Sequence, residues 1–374
     1  MSVAIVAGAV ANKPGNGGAA WTRLSWALGL RRLGFDVVFV EEIEPGSMST
    51  TAATWFSDVM GWAGMLPEAG LVVRGSGAAI GLSREELLDR AHEAELLVNL
   101  SGHLRDTLVL AGPRRRVFVD LDPGYTQTWR AQGLDAGLEG HDEYLTVGER
   151  IGCADCPIPT GEIRWRPTRQ PVVLEDWPVI RGDRERLTTV ASWRGPLGTV
   201  AVEERPRGGK AHEFRRFAAL PEMVSQRCEI ALELDPADEA DRQALSARGW
   251  DLSTPEVVAG TPSAFRAYVQ ASGAELSVAQ SVYVAGRTGW FSDRTVRYLA
   301  SGKPALVQDT GFEDRYRTGV GLLPFTTLEE AADAAAELAS DYELHARAAR
   351  VIAEEHFDSD RVLGELLESA EVAP

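Results

Sequence analysis

The sequence predicts an α/β protein built from two Rossmann-like, doubly wound domains that face each other across a cleft. Its 374 residues are many for a single hydrophobic core. Short apolar runs alternate with helical patterns through both halves, which is typical of buried parallel strands covered by helices. The alternation lapses once, in a proline-rich stretch from Cys156 to about Arg186, and this lapse predicts the boundary between the domains.

The first half opens with a strand, a helix and a second strand, which read "VAIVAGAV", "WTRLSWALGLRRLG" and "DVVFVEE". A helix "SREELLDRAHEA" follows, for which Ser83 is the expected N-cap and Glu86 completes a capping box. The strands "LLVNLSG", "VFVDLDP" and "YLTVG" come next. These elements predict an N-terminal domain over residues 1–170.

The second half repeats the pattern after a predicted linker at residues 171–186. It contains the strands "LTTVAS", "EIALEL", "AELSVAQ" and "PALVQD" and the helices "KAHEFRRFAALPEMV", "DEADRQALSARG", "PSAFRAYVQAS", "TLEEAADAAAELAS" and "DYELHARAARVIAEEHF". They predict a C-terminal domain over residues 187–356. We expect a last helix, within residues 357–374, to pack back on the N-terminal domain. Ligands of open α/β sheets bind where the strands end, so the loops after the strands are the expected functional regions.

Charge and hydropathy restrict the partners. The formal net charge is −17 and the isoelectric point is near 4.9, which argues against a nucleic-acid surface or an anionic membrane. No stretch approaches the roughly 20 apolar residues of a membrane span, and the first residues lack the basic start of a signal peptide, so a cytoplasmic location is expected. An anionic ligand would need a locally positive pocket.

Several common motifs are missing. Cys153 and Cys156 form a lone C-x-x-C without a second Cys/His pair, so structural thiols are favoured over a metal site. The first loop, "GAVANKPGNGG", does not match the dinucleotide-binding fingerprint, and no P-loop occurs, so neither a NAD cofactor nor NTP hydrolysis is expected. Gly17 and Gly18 either let backbone approach a substrate closely or belong to an ordinary loop.

Three acid–base candidates follow strands of the first half. His103 lies just beyond "LVNLSG", where a neutral imidazole would suit deprotonation of an acceptor hydroxyl, and Asp120 and Asp122 lie at the end of "VFVDLDP". The alternative is structural, with Asp122-Pro-Gly as a turn and His103 as a loop residue. In the second half, the helix that starts at Ser292, Asp293 and Arg294 has either a phosphate-binding first turn or an ordinary N-cap.

Three stretches resemble GT-B-fold glycosyltransferases. "GNGGAAWTRLSWALGLRRLGFDVVFV" resembles their N-terminal unit, and "VASWRG" followed by "GGKAHEFRRF" resembles the segment in which retaining members hold the donor diphosphate with an arginine and a lysine. "DRTVRYLASGKPALVQDTGF" resembles the helix, turn and strand that hold the nucleotide sugar. The resemblance implies donor-binding roles for these residues: Arg194, Lys210, Arg287, Ser292, Asp293, Arg294, Asp309, Thr310 and Gly311.

One family feature is missing. Arg297 stands where the second glutamate of the family's E-x7-E pair would grip the ribose, and Gly289 stands where the first would be. Asp293, one helical turn earlier, is the expected substitute. The resemblance implies a metal-independent glycosyltransferase that uses a nucleoside-diphosphate sugar and a small-molecule or glycan acceptor, in natural-product biosynthesis or cell-surface polymer assembly. The missing pair leaves open a non-catalytic protein that binds sugar nucleotides or activates a partner. An oxidoreductase or epimerase is disfavoured by the missing fingerprint.

Overall fold

The computed structural model describes residues 2–195 and 197–373 and shows two lobes, each with a largely parallel sheet between layers of helices. The N-terminal lobe has an eight-stranded sheet in the order β4-β3-β2-β1-β5-β6-β7-β8, parallel except for the antiparallel edge pair β3 and β4. Its strands are β1 Val3–Ala7, β2 Asp36–Ile43, β3 Ala69–Val73, β4 Ala79–Gly81, β5 Ala94–Leu100, β6 Arg115–Asp120, β7 Glu143–Thr146 and β8 Arg166–Pro167. Its helices are α1 Gly17–Arg32, α2 Thr50–Trp62, α3 Arg84–Glu93, α4 Thr107–Ala111 and α5 Tyr125–Ala131.

The C-terminal lobe has a six-stranded parallel sheet in the order β13-β12-β9-β14-β15-β16 and a separate hairpin of β10 and β11. Its strands are β9 Arg186–Ser192, β10 Val200–Val202, β11 Arg205–Arg207, β12 Arg227–Glu233, β13 Asp251–Ser253, β14 Ala274–Ser277, β15 Ala305–Gln308 and β16 Leu322–Phe325. The helices that follow in the chain are α6 Lys210–Phe214, α7 Glu239–Ala247, α8 Pro255–Ala259, α9 Pro262–Ala271, α10 Ser281–Ala285, α11 Asp293–Ala300, α12 Leu328–Ser340, α13 Tyr342–His356 and α14 Ser359–Ala370.

Local signals place most of these elements correctly. The capping box of Ser83 and Glu86 at the start of α3 is confirmed, and so is Ser292 as the N-cap of α11. The helix expected from Lys210 onward ends after Phe214 and continues as short 3₁₀ turns. Pro221, which lacks an N–H, lies in this stretch and prevents a continuous helix.

Two chain segments run side by side between the lobes. The Val172 N–H donates to the Phe357 carbonyl (2.8 Å), and the Ser359 N–H donates to the Val172 carbonyl (2.9 Å). Helix α14 then returns to the N-terminal lobe and packs on α1, where Leu363 fills the space beside Gly29. Both crossings between the lobes are therefore tied to each other by backbone hydrogen bonds.

Two apolar contacts hold the lobes together. On one flank Trp21 of α1 packs against Trp177 with the rings tilted, and its indole N–H donates to the Pro262 carbonyl at the start of α9 (2.8 Å). On the other flank Tyr125 of α5 packs against Tyr283 of α10, in a cluster that includes Val200 of the hairpin. The space between these two flanks is polar, and it contains the candidate site.

Candidate functional site

The strand order of each sheet reverses at one point, and ligands of open α/β sheets bind there. In the N-terminal lobe the reversal lies between β1 and β5, and in the C-terminal lobe it lies between β9 and β14. The loops after these four strands carry Lys13, His103, Lys210 and the segment that leads into Asp293. The topology therefore places the chemistry-bearing residues of both lobes at the cleft.

Glu41, near the end of β2, fixes the loop after β1. Its buried carboxylate accepts the backbone N–H groups of Val10 (2.7 Å), Ala11 (2.6 Å) and Asn12 (3.1 Å). Burial raises the pKa of Glu41, whereas these three hydrogen bonds and the Arg23 charge lower it. The loop that presents Lys13 is thus held by an acidic residue that the sequence did not mark as functional.

The neighbouring residue Glu42 fixes the loop after β5 in the same way. Its carboxylate accepts the backbone N–H groups of Arg105 (2.5 Å) and Asp106 (2.7 Å). His103 lies in this loop and is half-buried. Burial and the cations Arg23, Lys13 and Arg105 lower the pKa of His103 to about 3. His103 is therefore neutral at physiological pH and a weak base, so a hydrogen bond to a substrate suits it better than the expected proton abstraction.

Asp120 has a structural role, which corrects the expectation of a base at this position. Its side chain is fully buried, and its oxygens accept hydrogen bonds from Thr126, Gln127 and Thr146, each at 2.7 Å, and from the Asp122 N–H at 3.0 Å. A carboxylate with these partners and no solvent access cannot reach a substrate. Asp120 instead fixes the loop that carries Asp122.

Asp122 is half-buried and faces the C-terminal lobe. It accepts a long hydrogen bond from the Tyr283 hydroxyl (3.4 Å). Burial raises the pKa of Asp122, and the nearby cations Lys13 and Arg23 oppose that rise. Of the three predicted acid–base residues, Asp122 alone combines access to the cleft, a carboxylate and contact with both lobes.

Lys13 and Arg23 are cations of the N-terminal lobe to which the sequence patterns assign no role. Arg23 is 8% exposed, donates to the Ala19 carbonyl (3.3 Å), and leaves its Nε without a partner among the described residues. Burial lowers the pKa of Arg23, whereas the negative charges of Asp122 and Asp293 raise it. Burial and Arg23 likewise lower the pKa of Lys13. Two cations therefore repel each other in the cleft, which suits an anionic ligand.

Lys210 is the corresponding cation of the C-terminal lobe. It begins α6, and the preceding Gly208 is fixed by two hydrogen bonds with the Ser281 hydroxyl (2.9 and 3.0 Å). Burial and the Arg294 charge lower the pKa of Lys210 to about 7, against the opposing effect of Glu275 and Asp293. Lys210 is half-buried, and its charge interacts with Asp293 at the start of α11.

The start of α11 joins the two lobes. Asp293 accepts a hydrogen bond from the Thr22 hydroxyl of α1 (2.6 Å). Arg294 points into its own lobe, where it pairs with the fully buried Glu275 and donates to the Val190 carbonyl (2.6 Å). Asp293 therefore faces the cleft, whereas Arg294 is a structural ion pair behind Lys210.

Arg297 occupies the position of the absent glutamate and is 1% exposed. Its guanidinium donates to the Asp293 carboxylate (3.0 Å) and to the Ser25 hydroxyl of α1 (3.1 Å). A guanidinium has no acceptor atom, so it cannot receive hydrogen bonds from ribose hydroxyls. Arg297 thus links α11 to α1 instead of presenting a ribose-binding group.

Two of the predicted donor-binding arginines lie at the surface. Arg194 is paired with Asp238 through two hydrogen bonds (2.7 and 3.0 Å), and its side chain is 60% exposed. Arg287 is paired with Asp309 (3.3 Å) and is 50% exposed. The expectation that Arg194 joins Lys210 at the diphosphate is corrected, because its charge is directed to an acidic neighbour outside the cleft cluster.

The segment of Asp309, Thr310 and Gly311 forms a tight turn. Asp309 accepts the Gly311 N–H (2.7 Å), Thr310 is buried and donates to the Trp290 carbonyl (2.6 Å), and Gly311 has a φ of 92°. Ser292 is buried as the helix cap. The polar groups of Thr310 and Ser292 are thus occupied by the turn and the cap, and the Asp309 carboxylate is shared between the Gly311 N–H and Arg287.

Gly17 and Gly18 were predicted either to let backbone approach a substrate or to belong to an ordinary loop, and in the structure both lie against protein. A Cβ on Gly17 would overlap the Thr261 carbonyl of the C-terminal lobe, and one on Gly18 would lie 3.3 Å from the Phe265 ring. The two glycines allow α1 to dock against the start of α9. Of the two, Gly17 sets the closest approach of the lobes, because its Cβ would overlap backbone.

Other features lie outside the cleft cluster. A pocket of about 220 Å³ at the edge of the N-terminal sheet contains Arg74, Arg84 and Arg105, but these pair with Glu42, Asp106 and Asp135. Cys153 and Cys156 are free thiols. Within the described residues no group of His, Cys, Asp and Glu side chains has metal-binding geometry. In the same residues, no helix has both the length and the apolar character of a membrane span.

Comparison with known proteins identifies the fold. No protein-family model matches the chain, and no curated protein matches its sequence. The structure is similar to an α-glucosyltransferase solved with UDP and a DNA containing an HMU base (TM-score 0.64, 12% identity, 99% of both chains). It is also similar to HepE of Anabaena solved with UDP-glucose (0.62, 11%, 99% of this chain and 100% of that one) and to sucrose-phosphate synthase of Thermosynechococcus elongatus (0.56, 11%, 99% of both). The chain has the GT-B fold, which confirms the predicted architecture.

Proposed function

We propose that the protein is a glycosyltransferase that moves a sugar from a nucleoside-diphosphate sugar to an acceptor. The observation that carries the proposal is the cleft cluster, in which cations of both lobes meet at the Asp293 carboxylate. Lys13 and Arg23 of the N-terminal lobe act on Asp122 and Asp293, and Lys210 of the C-terminal lobe acts on Asp293. The protein as a whole is strongly acidic, with a formal net charge of −17, so this local excess of cations points to an anionic ligand. The solved neighbours that contain UDP or UDP-glucose support a nucleotide sugar as that ligand.

The chemistry follows from these charges. The acceptor oxygen bonds to the anomeric carbon while the bond from that carbon to the β-phosphate oxygen breaks, and its electron pair leaves with the phosphate. Lys210 and the N-terminal cations stabilise the charge that develops on the leaving group, so protein groups take the role that a metal ion has in other transferases. Asp122 accepts the proton of the attacking hydroxyl. Apposition of the lobes excludes water and limits hydrolysis of the donor.

Donor binding is the first test. Titration calorimetry with UDP, GDP and dTDP should show binding of at least one, and Lys210→Ala should weaken it about 10- to 100-fold, as expected for loss of a charge-assisted contact. Arg194→Ala is the matched control, because its exposed guanidinium pairs with Asp238 and should leave the affinity unchanged. Equal losses in both variants would contradict the assignment of the diphosphate to Lys210.

Turnover is the second test. Nucleotide release from donor and acceptor should continue in EDTA, and Asp122→Asn should reduce it by about 10² to 10⁴, the usual contribution of a general base. Affinity for the nucleotide should stay within about threefold, because Asn keeps the shape of the side chain and the phosphate-facing cations remain. Full activity of Asp122→Asn would remove Asp122 from the mechanism.

A second candidate function, donor binding without transfer, is favoured by Arg297. The buried guanidinium links Asp293 to Ser25 at the place where the family has its ribose-binding glutamate. A protein of this kind would bind a nucleoside diphosphate and release no product from any donor and acceptor. The turnover measurement therefore separates the two candidates, since the binding measurement is expected to be positive for both.

A further inference from the structure

A second concave site lies on the N-terminal lobe beside the first loop. It is an open groove of about 380 Å³ between residues 14–15 of that loop and one face of α2. Its side-chain lining comes from positions that are one and four residues apart on the helix, so they share one helical face. We call it the α2 groove, and its lining residues are Pro14, Gly15, Thr50, Thr51, Thr54, Trp55 and Asp58.

The chemistry of the α2 groove matches a sugar ring. Trp55 packs one part of its indole on the lobe core and also lines the groove. An aromatic face carries partial negative charge and attracts the polarised C–H groups of a pyranose ring. Threonine hydroxyls both donate and accept hydrogen bonds, as sugar hydroxyls do, and Asp58 accepts two more. An aromatic side chain together with a few polar groups is the usual composition of a specific small-ligand site.

The charge and shape of the groove narrow the ligand further. Among its lining residues, all of which the structure describes, Asp58 is the one with a carboxyl group, and none is basic. With no cation in the lining, the groove does not favour a phosphorylated or carboxylated ligand. It is also shallow and open to solvent, whereas sites for whole small molecules enclose most of the ligand surface. These properties favour one neutral sugar unit of a longer chain.

The groove is connected to the cleft cluster through the first loop. Pro14 and Gly15 follow Lys13 directly and precede Asn16, the N-cap of α1. A Cβ on Gly15 would meet no atom within 4 Å, so the space above the loop is open. The groove therefore adjoins, along the loop, the residue Lys13 of the cleft cluster.

We propose that the α2 groove binds a neutral sugar unit of the acceptor, and that the acceptor is a glycan and not an isolated small molecule. This inference rests on the proposed glycosyltransferase function and names the class of its acceptor substrate. It assigns Trp55 as the stacking platform and Thr54 as a hydrogen-bonding group of the acceptor site.

The test uses the full chain on an array of neutral and acidic oligosaccharides. We expect retention on neutral oligosaccharides, a loss of at least tenfold in Trp55→Ala and a smaller loss in Thr54→Val, which keeps the side-chain shape and removes one hydroxyl. Ser57→Ala is the matched control, because Ser57 lies on α2 outside the groove lining and should bind as the parent does. Melting temperatures of all variants show whether Trp55→Ala still folds, and Thr54→Val carries the test if it does not.

The outcomes separate the two proposals. Absence of neutral-oligosaccharide binding, preference for acidic oligosaccharides, or equal retention by the parent and Thr54→Val would overturn the α2 groove as the acceptor site. Nucleoside-diphosphate titration of the same variants should be unchanged, whereas Lys210→Ala should lose nucleotide affinity and keep oligosaccharide binding. Oligosaccharide binding without any nucleotide binding would reject the proposed function and leave the groove as a carbohydrate-binding site.

Discussion

The two lobes use their positive charges differently. In the C-terminal lobe the arginines expected at the donor are paired with carboxylates of the same lobe, whereas Lys210 forms no such pair within the part of the chain that the structure describes. In the N-terminal lobe the carboxylate nearest the first loop, Glu41, binds backbone N–H groups instead of a cation. Lys13 and Arg23 consequently keep their charge available to a ligand. The three C-terminal pairs are Arg194 with Asp238, Arg287 with Asp309 and Arg294 with Glu275.

This difference shows that the function of a cation depends on its nearest carboxylate more than on its sequence motif. Arg194 received a donor-binding role from the resemblance and pairs with Asp238, whereas Arg23 received no role from it and lies within the cluster. The stability of the protein should record the same contrast. A paired buried cation stabilises the fold, and an unpaired one costs stability in exchange for binding.

The largest expected effect is the difference in the free energy of unfolding between Arg294→Met and Arg23→Met. Loss of Arg294 leaves Glu275 buried without a partner and should lower the free energy of unfolding by about 3–5 kcal/mol. Loss of Arg23 removes a buried guanidinium whose Nε has no partner, so unfolding free energy should stay the same or rise. Urea denaturation of the parent and both variants measures the difference.

Arg194→Met is the control for this pair. Its ion pair with Asp238 is 60% exposed on the arginine side and is screened by solvent, so the urea midpoint should stay close to that of the parent. If Arg23→Met destabilises the protein as much as Arg294→Met does, Arg23 is a structural residue and the contrast between the lobes is wrong.

The fold was predictable from the sequence because it depends on local patterns. Buried strands, caps such as Ser83 and Ser292, and the proline-rich break are each specified by neighbouring residues. Helix α2 was missed because "TTAATWFSDVMGW" begins with threonines, which favour strands, and its hydrophobic face is narrow. Its omission also hid the α2 groove.

The site was predictable only in part. Lys210 and Asp293 were selected because a glycine-rich turn and a helix start are visible in the sequence, and the structure brings both to the cleft. Arg23 lies within a helix of mixed composition, where it resembles any surface arginine. Glu41 looks like the polar end of a strand. Only tertiary contacts show that one is an unpaired buried cation and the other a loop anchor.

The second expected effect concerns the contact that brings the lobes together. In Gly17→Ala the new methyl group would overlap the Thr261 carbonyl, so α1 and α9 must separate at a cost of about 1–3 kcal/mol. Donor affinity should fall because the N-terminal cations move away from Lys210. Titration calorimetry with a nucleoside diphosphate and small-angle scattering measure the affinity and the separation of the lobes.

Gly18→Ala provides the matched change. Its Cβ would lie 3.3 Å from an edge of the Phe265 ring, which can yield by a small rotation, and alanine is the better helix former. Stability and affinity should therefore stay near the parent values. Similar losses in both variants would show that helix geometry, and not docking of the lobes, determines the effect.

The smallest expected effect is a pH dependence that separates the two lobes. The pKa of Lys210 is about 7, so raising the pH through 7 removes its charge and should weaken binding of a nucleotide sugar by up to about tenfold per pH unit. His103, with a pKa near 3, is already neutral and adds no change in this range.

A nucleotide sugar is the suitable probe because its diphosphate does not titrate between pH 6 and 9, whereas a terminal phosphate does. Lys210→Arg, which stays protonated, should bind independently of pH over that range, and a slope that persists in this variant would assign the titration to Lys13 on the opposite lobe.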